Sequence, residues 1–155
     1  MNSKIRLLYI LAALLALLNF AQAAVVINEV ELNPPGDENL RKSTFVEWVE
    51  LYNNETEAAF IGNWTLTAQP GNLTLAIPPG AAIPPLDHYL LTGSGGWLSD
   101  GNQTLILRRA DGSEADRTPP LTDTRDDDLS WRRYPDGRDT DSASDWQLMY
   151  SSQGF

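Results

Sequence analysis

The chain has 155 residues, 21 of them acidic against 11 basic, for a formal net charge of −10, with one histidine and no cysteine. The missing thiols exclude disulfides, thiolate metal centres and a Cys–His nucleophile pair, and a single histidine excludes a multi-histidine zinc site. The acidic balance opposes binding to a phosphate backbone, which works through Lys and Arg neutralisation, so no nucleic-acid partner is expected and solubility accounts for the charge.

Lys4 and Arg6 make a short positive start, Leu7 to Leu18 is an unbroken apolar run, and Ala21-Gln22-Ala23 is a small-residue site just before Ala24. This is the three-part layout of a secretory signal peptide, with cleavage expected between Ala23 and Ala24. The run is shorter than the roughly 20 residues that a helix needs to cross a bilayer. Residues 1–23 are therefore expected to be removed, leaving 24–155 as one secreted or cell-surface domain without a further membrane span. That segment keeps all 21 acidic residues and nine of the basic ones, a net charge of −12. A chain of this size buries about two-thirds of its unfolded surface, so packing alone can hold it.

From residue 25 onward, short segments rich in Val, Ile, Leu, Thr and aromatics alternate with Pro, Gly, Asn and Asp clusters, the pattern of an all-β sandwich or barrel. The spacing predicts strands at 25–32, 45–52, 63–68, 72–77, 87–92, 103–109, 129–133 and 145–150. Pro34-Pro35-Gly36, Pro78-Pro79-Gly80, Pro84-Pro85 and Pro119-Pro120 cannot continue a central ladder, and Asp111-Gly112 suits a tight hairpin turn. In the second strand neither face is purely apolar: Phe45, Glu47, Val49 and Leu51 oppose Val46, Trp48, Glu50 and Tyr52, which leaves its register open. In the sixth, Leu105 and Leu107 share a face opposite Thr104, Ile106 and Arg108. No sustained helical period follows the signal. The acidic, Pro-flanked loop 118–128 is expected to be the least ordered part of the domain.

Several segments fall in a familiar order. Val26-Ile27-Asn28-Glu29-Val30 resembles the opening strand of lamin-tail domains, and Glu47-Trp48-Val49-Glu50-Leu51-Tyr52-Asn53 is similar to that family's acidic-led segment. Ile61-Gly62-Asn63-Trp64-Thr65-Leu66 resembles its Gly-Trp element, with Asn63 inserted, a departure expected to loosen the turn. Ile77 to Leu91, Leu98 to Asp116, Ser130-Trp131-Arg132-Arg133 and the stretch from Asp145-Trp146 to Gly154 are similar to its later elements. The resemblance, to the exported prokaryotic type, implies an immunoglobulin-like antiparallel β-sandwich. It also implies a binding or tethering module with no catalytic residues to carry over.

The residues themselves agree with a non-enzyme. His88 lies in Leu86-Asp87-His88-Tyr89-Leu90-Leu91 with no nucleophile-elbow motif and reads as a surface or edge-strand histidine. Glu29, Glu47 and Glu50 could in principle form a glycosidase-like carboxylate pair, but the resemblance places them on structural strands. Asp123, Asp126, Asp127, Asp128, Asp136, Asp139, Asp141 and Asp145 enrich the C-terminal third in oxygen ligands. Their spacing fails the EF-hand pattern, and Asp139-Thr140-Asp141 is explained as a turn in which Asp caps its own backbone. No metal or other cofactor is expected. The alternative is a metal-dependent hydrolase, or a hydrolase accessory, using these loops; three or more carboxylates converging in one pocket would favour it. Asn54, Asn63, Asn72 and Asn102 each begin an Asn-X-Thr triplet and are candidate N-glycosylation sites. Trp64, Trp131 and Trp146 fall on family-like elements and are expected in or against the core. Trp48 and Trp97 are the binding candidates, since an exposed Trp with a polar rim suits a sugar or a protein interface. The expected partner is an envelope protein or glycan.

Overall fold

The computed structural model describes residues 25–36, 46–94 and 96–153. The expected signal segment, with Ala23 and Ala24, lies outside the described residues. Among the described residues, eleven strands run β1 (Val25–Glu31), β2 (Trp48–Asn53), β3 (Ala59–Phe60), β4 (Thr65–Gln69), β5 (Leu73–Ala76), β6 (Ala82–Ile83), β7 (His88–Thr92), β8 (Thr104–Arg108), β9 (Glu114–Arg117), β10 (Leu129–Arg133) and β11 (Trp146–Tyr150), with one 3-10 turn at Ala143–Asp145. They form an immunoglobulin-like antiparallel sandwich. One sheet has the order β11-β10-β1-β2-β7, the other β5-β4-β8-β9, and β3 pairs with β6 as a small ribbon.

The first strand shows how sequence sets the layers. Between Ile27 and Glu29 the β1–β2 register shifts, so Ile27 faces Leu51 and Glu29 faces Glu50, with Asn28 as the extra residue. Such a bulge puts two successive residues on one face. It lets Val25, Ile27, Val30 and Leu32 all enter the core, while Glu29 and Glu31 turn to the outer face. Val49 and Leu51 of β2 and Leu91 of β7 complete that layer; Leu66 and Ala68 of β4 and Leu105 and Leu107 of β8 face them. The open register of the second strand resolves in favour of Val49 and Leu51 inward, and Leu105 and Leu107 share the inner face as the alternation predicts.

The expected strands match in place, with ends shifted by up to three residues. Three strands fall outside them: β3 and β6, of two residues each, and β9, whose Glu-Ala-Asp-Arg sequence has no apolar alternation. The β8–β9 turn is wider than the two-residue hairpin that the Asp-Gly pattern suggests, with Arg109 N–H donating to Ser113 O at 2.8 Å across a three-residue loop. Gly112 has the positive φ of +83°, whereas Asp111 caps the turn by accepting the Ser113 N–H at 2.9 Å. Asn63, expected to loosen its turn, instead adopts φ +64° and donates its N–H to Ile77 O at 3.1 Å. Asn tolerates that left-handed conformation, so the insertion is absorbed within a hydrogen-bonded turn.

The loop 118–128 departs most from expectation. Thr118, Leu121 and Asp123 are buried, and Gln103 and Leu121 form a two-way backbone bridge at 2.8 Å. Trp131 Nε1–H donates to Thr122 O at 3.0 Å. Internal hydrogen bonds of this kind satisfy the loop's polar groups and pin it to the sandwich. Arg133 closes the other end. It is buried, donates to Ile27 O at 2.9 Å and pairs with Asp116 of β9 at 3.1 Å, Asp139 at 2.8 Å and Asp145 at 3.6 Å. Its guanidinium lies 4.9 Å from the Trp146 ring centroid, so one side chain joins both sheets and the β10–β11 connection.

Candidate binding site on the outer face of the five-stranded sheet

The outer face of the β1–β2 pair is polar yet buried. Glu29 and Glu50 stand opposite each other across the ladder, a like-charge pairing that is destabilising unless each carboxylate has its own donors. Glu29 accepts from Ser130 Oγ at 2.5 Å, Ser152 N at 2.9 Å and Ser152 Oγ at 2.6 Å, which ties the segment after β11 to β1. Glu50 accepts from Asn28 Nδ2 at 3.4 Å. Asn28 also donates to Asp136 at 3.2 Å and accepts from Gly137 N at 3.0 Å, which lays the 134–138 loop over this end of the sheet. His88 sits on the edge strand β7, as its sequence suggests. Its Nε2 lies 3.6 Å from Glu50 and 3.8 Å from Asp136, beyond hydrogen-bond reach.

At the opposite end of this face is a cavity of about 200 Å³, lined by Glu31, Pro34, Pro35, Val46, Trp48, Asp128, Ser151 and Gln153. Its volume corresponds to about seven waters at ~30 Å³ each. Glu31 and Trp48 are cross-strand partners, so the bulge at Asn28 brings the carboxyl beside the indole. Glu31 is 2% exposed, and Asn33 N–H donates to its Oε1 at 3.2 Å. Burial pushes its carboxyl up to about 8; the Asn33 N–H opposes this, and the negative charges of Asp123, Glu29 and Asp127 reinforce it. Burial also raises Asp123 above the usual carboxylate range, and its Oδ2 is buried without a hydrogen-bond partner. An apolar wall with a few convergent polar groups and a strongly perturbed acid is the usual make-up of a small binding site.

Two further hollows carry less. One of about 180 Å³ is lined by Arg117, Arg133, Ser142 and Trp146 among others, but Arg133 is already engaged by three aspartates. The other, a shallow groove of about 470 Å³, runs between Gln69–Asn72 and Asn102–Thr104.

The structure corrects the reading of the tryptophans. Trp48 and Trp97 are each 5% exposed, so neither is the open stacking platform expected of it. Trp97 is a core residue: its Nε1–H donates to Glu47 O at 3.0 Å, and its ring occupies the space a Cβ on Gly93 would need. Trp48 keeps contact with a cavity rather than with open solvent. Trp146 is buried as expected, whereas Trp64 and Trp131 are half-buried against the core.

The remaining candidates are dispersed. Asn63, Asn72 and Asn102 are exposed, with φ of +64°, +55° and +55°; each occupies a left-handed turn position that favours Asn without any modification. Asn54 is half-buried and its amide donates to Gly137 O at 3.4 Å. Glu47 Oε2 accepts the Leu98 N–H at 2.8 Å. The aspartates of the C-terminal third serve mostly as backbone caps: Asp126 on Gly36 N at 2.6 Å, Asp127 on Leu129 N at 3.0 Å, and Asp139 on Asp141 N at 3.2 Å, the self-capping turn expected there. Among the described residues, no three His, Asp or Glu side chains converge so as to hold a metal ion. Sequence reasoning missed Glu31, Pro34, Pro35 and Ser151 as site residues. The available signal was the change of apolar phase from 25 and 27 to 30 and 32, which turns Glu31 outward beside Trp48.

Compared with known proteins, residues 19–120 match the family model described as the Lamin Tail Domain. The match includes the Asn28 bulge, the Glu31–Trp48 pair and the whole four-stranded sheet, and it stops before β10 and β11. No curated protein matches the chain.

Proposed function

Since this chain belongs to the lamin tail domain family, we propose that it is an exported, non-catalytic module that binds an envelope protein or glycan on the outer face of its five-stranded sheet. The observation that carries this reading is the Glu31–Trp48 cavity: a partly open hollow, walled by Trp48 and two prolines, with a buried carboxyl facing it. The scaffold around it suits binding. Glu29 holds the segment after β11, and the capped loop 118–128 fixes the opposite rim, so the cavity is preorganised and binding orders little more. Export rests on the positive, apolar and small-residue layout of residues 1–23.

Capture of envelope components from the host by immobilised protein, compared with the Trp48→Phe variant, tests the reading. Binding that drops with Trp48→Phe supports it; capture indifferent to the substitution overturns it. Turnover of phosphodiester, phosphomonoester or glycoside substrates with Ca²⁺, Mg²⁺ or Mn²⁺, abolished when Asp126, Asp127 and Asp128 become Asn, would instead establish the hydrolase alternative.

A further inference from the structure

The cavity beside Trp48 combines an apolar wall with the Glu31 carboxyl, which takes part in no ion pair among the described residues. Among the described residues the Glu31 carboxyl has one hydrogen bond, from Asn33 N–H to Oε1; Oε2 accepts none and is open to the cavity. Asp123, behind the cavity lining, has its Oδ2 buried without a hydrogen-bond partner. The ion pairs among the described residues go elsewhere, to Asp116, Asp136, Asp139, Asp145, Glu50 and Glu114. The Arg125 N–H donates to Asp123 Oδ1 at 3.1 Å, and its guanidinium acts on Asp123 only through space. Ionising a buried carboxyl with one hydrogen bond is costly unless a cation joins it, so the site is complementary to a cation.

We propose that this cavity receives a basic side chain of a partner polypeptide, its methylene stem against Trp48, Pro34 and Pro35 and its charged head on the Glu31 carboxylate. The inference deepens the binding-module reading and rests on it, by naming the chemical class of the partner. Lys and Arg bury their stems along apolar surface while the head keeps polar company, and an indole attracts a cation at close range. A cavity of about 200 Å³ has room for one such side chain. The chain's net charge of −10 adds a long-range attraction for a basic partner. A neutral sugar would hydrogen-bond Glu31 but gain nothing from the negative charge of Asp128 on the cavity's rim.

Uptake of a cation carries a proton signature. In the empty cavity Glu31 faces Glu29 on its own strand, Asp123, Asp127 and Asp128 on the 118–128 loop, and the Asn33 N–H, and it holds its proton up to about pH 8. The cation binds the ionised form, so binding expels the proton, and affinity climbs as pH rises toward 8.

The test is a titration of the purified protein with acetyl-Gly-Lys-Gly-amide and its norleucine counterpart, followed through the Trp48 indole and Asn33 amide N–H resonances. The lysine peptide should shift both saturably, with affinity increasing between pH 6 and 8, and the norleucine peptide should bind about tenfold more weakly or worse. Glu31→Gln, with its fold checked by an unchanged far-UV spectrum, should lose about the same factor and the pH dependence. Asp128→Asn, at the rim, should lose less. Equal binding of both peptides, or no saturable shift with lysine, overturns the inference. Either of those results with Trp48-dependent envelope capture leaves the binding-module reading standing; if capture ignores Trp48 as well, both fall.

Discussion

Trp97 and Gly93 form a close pair in which a Cβ on the glycine would overlap the indole ring, so the contact depends on both residues. Trp97→Ala should cost about 3–5 kcal/mol, the usual loss for a large aromatic in a core. Trp64 is half-buried, with the Arg109 guanidinium 5.6 Å from its ring centroid, and Trp64→Ala should cost clearly less; urea midpoints at equal m-value decide the order. Glu31 gives a second residue-scale expectation. Its carboxyl is raised from an ordinary 4.5 to about 8, so the folded state prefers the protonated form. That contribution is full below about pH 4.5 and is lost as pH rises through 8. Glu31→Gln should therefore match the native protein at pH 4 and be the more stable at pH 8. The gain is about 1–3 kcal/mol after allowing for water that reaches the carboxyl through the cavity, measured by denaturant titration at the two values. Neither residue was legible from sequence. Trp97 lies next to glycines that suggest an open loop, and its burial depends on Gly93 and Glu47. Glu31 reads as a polar residue on an alternating strand until the Asn28 bulge is known to shift the phase.

At the scale of elements, Arg133 is the joint between the sheets. Its guanidinium serves Asp116 of β9, Asp139 and Asp145, and burial lifts Asp116 to about 6 even though Arg133 and the Ile27 N–H pull it down. Arg133→Met leaves those carboxylates without their cation, and should cost about 3–5 kcal/mol in thermal or denaturant unfolding, in line with other broken buried pairs. The strands with apolar alternation, such as β4 and β8, and those bounded by Pro or Gly, such as β7, were legible in the sequence. β9 was not, because what holds it is Asp116 beneath Arg133, a pairing 17 residues apart that no local pattern reveals. The 118–128 loop misled for a related reason. Its charges look solvated in one dimension, but in the fold Asp123, Asp126 and Asp127 cap neighbouring backbone N–H groups, and Leu121 and Thr118 anchor it.

At the scale of the whole molecule, the order of strands was announced by the family-like segments, while the placement of the cavity was not, since it gathers residues from β1, β2, the 118–128 loop and the stretch after β11. The same arrangement has a mechanical side. β10 is antiparallel to both β1 and β11, so the first and last strands run in the same direction within one sheet, with β10 between them. Tension between the start of β1 and the end of β11 then pulls along the strands, while their ladder hydrogen bonds lie across that line. Those bonds, with the Glu29–Ser152 clasp, take the load together in shear rather than opening one by one like a zipper. A module used as a tether would thus resist being stretched by its two ends without calling on the second sheet at all.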